Sequence, residues 1–344
     1  MAFGSKKPVI GLDVGAAAVK AVKLSRNGER LEVSGLAMAE VRPKSSEQVD
    51  PEMAKRVAAA DAITRVFAAL GTEPARAGAI VTAIGGPGVS IKQLRFPKMK
   101  AQTFAEALQW EARKHVPFDP TDVVLDFQIL DEDEDGDGED AEMTVLLAAA
   151  KKGYMEQHLS ALSEAGVEPH VVDLAPLALM NEADEEGLID GGSIAIVEIG
   201  RNAATLSAYR RGSTFFARSI LLYQTMMNGG GNGGVPGLDS PHGEEVSLDD
   251  NADPSTWLPH LLNEVSISLR FYDNETQRKG IDALYLSGGR ALTPGITEAF
   301  ETRLSISTKV MDPLTAFKGP VVESDELGVQ GPRFSLAMGL ARRR

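Results

Sequence analysis

The chain has no cysteine, which excludes disulfides, thiolate zinc sites and thiol catalysis and fits a reducing compartment. Aromatic residues are scarce, 6% of 344, so any core must be built from Ala, Val, Leu and Ile. No apolar run approaches the length of a membrane span. The first, Val9–Leu12, is broken at Asp13 and is too short for the apolar part of an export signal. The expectation is a cytoplasmic protein that reaches a membrane only through a partner. Positive charge is in deficit: 35 Lys and Arg against 49 Asp and Glu leave −14, which argues against nucleic-acid binding and a basic membrane footprint. The histidines, His115, His158, His170, His242 and His260, lie apart without metal-ligand spacing.

What is present reads as an α/β chain long enough for two packed lobes. Val9–Val14, Val19–Leu24 and Leu31–Met38 are predicted strands, the latter two joined by a turn at Asn27-Gly28. Pro51 opens an Ala-rich helix ending near Gly71, and Ala79–Ile84 is a further strand. Strand Val89–Phe96 leads to a helix whose Thr103 and Glu106 read as a capping box. Phe104, Leu108 and Ala112 mark that helix's buried face, and Trp110 reads as another packing residue. Strands then flank an acidic stretch, Asp131–Glu142. Its spacing matches a calcium loop, but Gly138 stands at the usually apolar eighth position and the flanks read as strands, so a solvated acidic hairpin loop is the better explanation. Asn228–Pro254 reads as a mobile polar loop. The expected division is a first-lobe core at 1–88 and 167–188, an inserted mixed α/β subdomain at 89–166, and a second lobe at 189–344. The final helix is placed between the lobes.

Three motifs stand out. In the first, a buried strand ends at Asp13, Gly15 allows a tight turn through Ala16 and Ala17, and a second strand carries Lys20 back. Such a hairpin can cradle phosphate with backbone amides and Lys20, while Asp13 faces a hydrated Mg²⁺. The same residues also make an ordinary hairpin. A Walker loop is absent, and strand rather than helix follows, unlike a Rossmann fingerprint. The second motif repeats the layout with Glu198, Gly200, Arg201 and Asn202. In the third, a strand ends at Ser287-Gly288-Gly289-Arg290, with Thr293 and Pro294 expected to start a helix. Paired glycines let a flat base or ribose approach the backbone.

Together these motifs resemble the actin-like ATPase superfamily, and within it the chain is most similar to PilM-like proteins, with FtsA a cousin. The resemblance is carried by GLDVGAAAVKAVKL (11–24), KQLRFPKM (92–99), EARKHVPFDPTDVVLDF (within 107–127), VLLAAAKK (145–152) and LSEAGVEPHVVDLAPLAL (162–179). It continues in the loop at 197–202, ALYLSGGRALTPGI (283–296) and AMGLA (337–341). It implies a two-lobed actin-like fold with an inserted mixed α/β subdomain in the first lobe, binding ATP with Mg²⁺. The implied nucleotide-binding residues are Asp13, Gly15, Ala16, Ala17, Lys20, Glu198, Gly200, Arg201, Asn202, Gly288, Gly289 and Arg290, with Asp13 and Glu198 near the metal. It also implies a cytoplasmic adaptor of type IV pilus assembly that grips the N-terminal tail of PilN in a groove beside the inserted subdomain, and it allows self-association.

The chain departs from the pattern in two telling places. Ala16, Ala17 and Ala18 replace the hydroxyl residues usual after the first glycine, and Glu198 replaces an Asp. Hydrolysis is therefore expected to be slow or absent. Two alternatives stand beside the ATP-binding scaffold: a nucleotide-free peptide adaptor, and a sugar or metabolite kinase on the same fold.

Overall fold

The computed structural model describes residues 7–28, 30–43, 50–132, 141–190, 192–210, 215–222, 252–276, 280–322 and 328–343. Residues 133–140 of the acidic calcium-like spacing and 228–251 of the expected mobile loop lie outside these residues. In chain order the elements begin with β1 (Val9–Val14), β2 (Ala18–Asn27), β3 (Arg30–Glu40), α1 (Pro51–Ala69) and β4 (Ala79–Ile84). Then come β5 (Val89–Pro97), α2 (Ala101–His115), β6 (Val123–Glu132), β7 (Glu142–Lys151), α3 (Lys152–Glu164), β8 (Val171–Leu174) and α4 (Ala175–Glu185). The second half holds β9 (Ser193–Ile199), β10 (Ala203–Arg210), β11 (Phe216–Leu221), α5 (Pro254–Thr276), β12 (Ala283–Ser287), α6 (Ile296–Leu304), β13 (Ser307–Val310), α7 (Pro313–Ala316) and α8 (Ser335–Ala341).

The strands form two sheets. The first has order β3-β2-β1-β4-β8, and the second β13-β12-β9-β10-β11-β5-β7-β6. Both are built from an antiparallel hairpin extended by parallel strands, as two α/β lobes require. Local chemistry explains the early elements. Gly28 takes φ 64° in the β2–β3 turn. Asp50 caps α1 by accepting the Met53 N–H at 3.0 Å, with Pro51 opening the helix. The inserted strands join the second lobe's sheet through the pair Phe216↔Lys92 and a 2.6 Å bond from the Phe215 N–H to Gln93 Oε1.

Each sheet is covered by helices. On one face of the first sheet, Ile10, Leu12, Val19 and Ala21 pack with Ile63, Val66 and Phe67 of α1 and with Ala161 and Leu162 of α3. Helix α3, assigned with the insertion from sequence, therefore shares the first sheet's core. The opposite face carries α8, all of whose residues are buried. Val22, Leu24 and Val33 meet Phe334, Ala337 and Met338 there. Backbone meets backbone at Gly11, where an added Cβ would fall on the Ala337 carbonyl and 2.5 Å from the Ala341 nitrogen. At the helix's end Arg342 pairs with Glu182 of α4 at 2.9 Å, and Arg343 pairs with Asp173. The chain thus finishes against the first sheet. The second sheet packs Val197, Leu206 and Leu286 against Trp257, Leu261 and Val265 of α5 and Phe300 of α6. In the insertion, Phe104 meets Phe96 and Phe127 edge-on, each at 4.8 Å.

Three local expectations are corrected. Helix α2 starts at Ala101, with Lys100 in the cap position and no side-chain cap, so Thr103 lies inside the helix. Ala101 and Gln102 suit a helix well enough for the first turn to form ahead of the box, and the Phe104 N–H already bonds to the Lys100 carbonyl at 3.0 Å. Trp110 is 68% exposed rather than packed. Thr293 does not cap α6: residues Gly289–Leu292 form a 3-10 turn, and Gly295, at φ 76°, precedes the helix.

Candidate functional site

The two hairpins that drew notice in the sequence have the same construction. In the first, Asp13 stands opposite Lys20, and the Gly15 N–H donates to the Ala18 carbonyl at 3.2 Å. In the second, Glu198 stands opposite Thr205, and the Gly200 N–H donates to the Ala203 carbonyl at 3.0 Å. Both glycine amides are therefore consumed inside their own turns. The turn residues differ in their anchoring. Ala16 is exposed, the Ala17 carbonyl accepts from Val41 N–H at 2.9 Å, and the Asn202 carbonyl accepts from Leu222 N–H at 2.8 Å. Arg201 and Asn202 are half-buried.

The turns face one another closely enough for their charged groups to interact. Lys20 Nζ donates to Asp13 Oδ2 at 2.7 Å, with both side chains largely covered. Glu198 is pushed up to about 7, first by burial and then by the Asp13 carboxylate, against the pull of Lys20. The second hairpin has Thr205 where the first has Lys20, so one ammonium serves two carboxylates. Ser287, paired in register with Glu198 from the other side, has a buried Oγ with no hydrogen-bond partner among the described residues. Strand alternation puts Glu198, Thr205 and Ser287 on the sheet face turned away from α5.

Helix α3 adds two residues that no sequence motif announced. The Thr82 hydroxyl donates to the Leu12 carbonyl at 2.9 Å, so at 3.1 Å it accepts from His158 Nε2–H. That arrangement leaves His158 Nδ1 as the ring's acceptor. Burial lowers His158 to about 4, outweighing the nearby Asp13. The Tyr154 hydroxyl donates to the Gly85 carbonyl at 2.8 Å, and burial, then Glu198, raise its pKa. A register of cross-strand partners would have found Thr205, but only the three-dimensional packing brings in His158 and Tyr154.

The third motif adjoins the second hairpin. Gly288 has φ 88°, and a Cβ there would lie 2.6 Å from the Ile199 carbonyl oxygen. Its N–H donates to the Pro332 carbonyl at 3.0 Å. Gly289 begins the 3-10 turn. Arg290 is only 9% exposed, its guanidinium 4.9 Å from the Trp257 ring centre, which directs it into the second lobe's core. The structure therefore brings Asp13, Lys20 and Glu198 together, sets Gly288 against their neighbour Ile199, and turns Arg290 toward α5. A surface hollow of about 630 Å³ between α5 and α6 shares no residue with this cluster.

A divalent cation is compatible with these side chains. Two carboxylates press on each other with one ammonium between them, and a cation would relieve the repulsion that raises Glu198. No group of three or more His, Asp or Glu among the described residues could hold a metal by itself, so Mg²⁺ would need further oxygen ligands, such as phosphate. No helix among the described residues is long and apolar enough to cross a membrane.

Comparison with known proteins supplies the family. A solved structure described as the PilM–PilN type IV pilus biogenesis complex matches with TM-score 0.74 and 24% identity, covering 98% of both chains. A protein of actin-like ATPase fold and unknown function from Bacteroides thetaiotaomicron matches at 0.49 and 8% identity, over 99% of this chain and 97% of that one. The ethanolamine utilization protein EutJ from Carboxydothermus hydrogenoformans matches at 0.47 and 12%, over 96% and 88%. The two-lobed actin-like fold expected from the motifs is the fold found. The model of the type IV pilus assembly protein PilM family matches residues 11–224 and 255–344, and the chain belongs to that family.

Proposed function

We propose that this chain is a cytoplasmic, ATP-binding scaffold of type IV pilus assembly that holds the N-terminal tail of a PilN-like inner-membrane protein. Family membership supports the pilus setting, and the PilM–PilN complex of similar fold supports the partner. One observation carries the nucleotide: the Asp13–Lys20 pair facing Glu198 across two hairpins of the same build. In this reading Lys20 and the amides of Ala16, Ala17, Arg201 and Asn202 hold the phosphates. Asp13 and Glu198 face Mg²⁺, and the adenosine lies against Gly288 and Gly289. The bound metal would supply charge neutralisation between phosphates and carboxylates. Attachment to the membrane is through the partner, whose extended tail would occupy the groove between the first lobe and the inserted subdomain at 89–166.

The nucleotide-free adaptor is the second reading, favoured by a specific feature. Lys20 is already neutralised by Asp13, and Ala16, Ala17 and Ala18 offer no hydroxyl to a phosphate. Two measurements separate the readings. Calorimetric titration with Mg-ATP yields a saturable isotherm for the scaffold that uses nucleotide and none for the adaptor. A pull-down with the synthetic PilN-like tail, with and without Mg-ATP, tests the partner, and failure to retain the tail in both conditions rejects the adaptor role itself.

A further inference from the structure

Arg333 lies in the joint between the two lobes and is held in an unusual way. Its Nη1 donates to a thioether, Met38 Sδ, at 3.9 Å, and its Nε is buried without a hydrogen-bond partner. Sulfur is a weak acceptor, while a guanidinium has five donors to satisfy. Among the described residues Arg333 has no carboxylate partner, in a chain with 49 acidic residues against 35 basic ones. Arg333 is half-buried as a residue, but its Nε is shut off from water and makes no bond in exchange, which costs free energy. An incoming anion would supply the acceptors that the guanidinium lacks.

Its position says which anion. Met38 pairs in register with Lys20, and Lys20 with Asp13, so the three side chains share one face of the first sheet. Arg333 reaches that face from the turn at Gly328–Phe334 that leads into α8. Its Nε lies 3.7 Å from where a Gly289 Cβ would be, and its backbone is fixed by the bond between Gly288 N–H and the Pro332 carbonyl. The next residue, Phe334, is wholly buried and anchors the segment. The guanidinium therefore spans from the glycine pair to the strand beside Lys20.

We propose that Arg333 is a polyphosphate-binding residue that holds the anion from the turn before α8, alongside the Asp13–Lys20 hairpin. The proposal rests on the nucleotide reading above, and it adds a guanidinium from the second half of the chain beside Lys20. A planar guanidinium binds phosphate oxygens in pairs, which a lysine cannot do.

The test is a set of titrations of the full chain with Mg-ATP, adenosine and inorganic tripolyphosphate, for the wild type, Arg333→Ala and Arg333→Lys, each with a melting curve. The expected result for Arg333→Ala is a loss of about tenfold or more for Mg-ATP and tripolyphosphate. Adenosine affinity and Tm stay unchanged, and Arg333→Lys recovers part of the loss. Equal weakening of all three ligands together with a fall in Tm overturns the proposal, because a packing role would do that. Unchanged Mg-ATP and tripolyphosphate binding in Arg333→Ala overturns it as well, as does a wild type that binds neither anion. Arg333-dependent binding of tripolyphosphate without any binding of Mg-ATP upholds the anion site and rejects the nucleotide reading.

Discussion

Lys20 and Thr205 occupy the same place in two hairpins of the same build: Lys20 stands opposite Asp13, and Thr205 stands opposite Glu198. The first carboxylate has an ammonium at 2.7 Å. The second shares that ammonium at longer range and is pushed up to about 7. The near-symmetry of the lobes thus ends in an electrostatic asymmetry at their junction. Positive charge is short only around the two carboxylates, and a divalent cation there would restore the balance.

Removing the shared ammonium tests that statement. Lys20→Ala leaves Asp13 and Glu198 facing each other with no cation in the first hairpin. The expected outcome is a loss of about 10–100-fold in Mg-ATP affinity by calorimetry, as for one charge-assisted contact, with the fold intact by circular dichroism. An affinity within twofold of the wild type would remove Lys20 from the site.

The pH dependence of stability separates two half-buried groups of opposite sign. Glu198 rises from 4.5 to about 7 on folding, so between those values the folded chain keeps a proton the unfolded chain has lost. Stability then falls as pH rises through that window. His158 drops from 6.5 to about 4, so there the unfolded chain holds the extra proton and stability rises with pH. In the wild type the two slopes oppose each other. Glu198→Gln deletes the falling one, and metal-free urea titrations should show it gaining about 1–3 kcal/mol on the wild type from pH 4.5 to 7, after allowance for solvent screening. His158→Gln should show the reverse trend, losing its relative advantage as pH rises from 4 to 6.5. Parallel curves for all three proteins would contradict both assignments.

Much of this architecture is legible in the sequence because local signals agree with the packing. Ala79–Ile84, Ser193–Ile199 and Ala283–Ser287 are apolar runs bounded by turn residues, and each is a strand with those limits. Asp13 and Glu198 were visible for the same reason, each a charge ending a buried strand. The failures are non-local. Thr293 has good cap chemistry, but the segment before it is drawn into a 3-10 turn by Gly288 bonding to Pro332 and Arg290 stacking on Trp257. Arg333 and Met38 are far apart in the chain, and no spacing rule connects them. The merger of β5 with β11 across the lobes likewise has no local signature.

Helix α2 offers a comparison between neighbours. Phe104 is fully buried between Phe96 and Phe127, whereas Trp110 is 68% exposed. Phe104→Ala should cost about 3–5 kcal/mol in urea unfolding, and Trp110→Ala should stay within about 0.5 kcal/mol of the wild type. Because Trp257 is wholly buried, Trp110 should also account for the acrylamide-accessible fraction of tryptophan fluorescence. A Trp110→Ala protein whose fluorescence is still strongly quenched would place Trp257 nearer the surface.

Gly11 provides the most direct test of how the end of the chain is docked. It lies in β1 on the face of the first sheet that carries α8, two residues before Asp13, and it lets the helix backbone lie directly on the strand. A methyl group there cannot be accommodated by a side-chain rotation, because the atoms it meets belong to the Ala337 carbonyl and the Ala341 nitrogen. Gly11→Ala must push α8 off the sheet, with an expected cost of about 2–4 kcal/mol from strain and lost packing. Gly153, in α3, has nothing within 4 Å of its Cβ position, so Gly153→Ala should be neutral or stabilising by up to about 1 kcal/mol. The two substitutions are chemically identical and are both read by urea unfolding, so their difference isolates the strand–helix contact. If Gly11→Ala unfolds at the wild-type midpoint, α8 does not rest on β1. The Gly288–Pro332 and Arg342–Glu182 links at either end of the closing segment would then have to hold it alone.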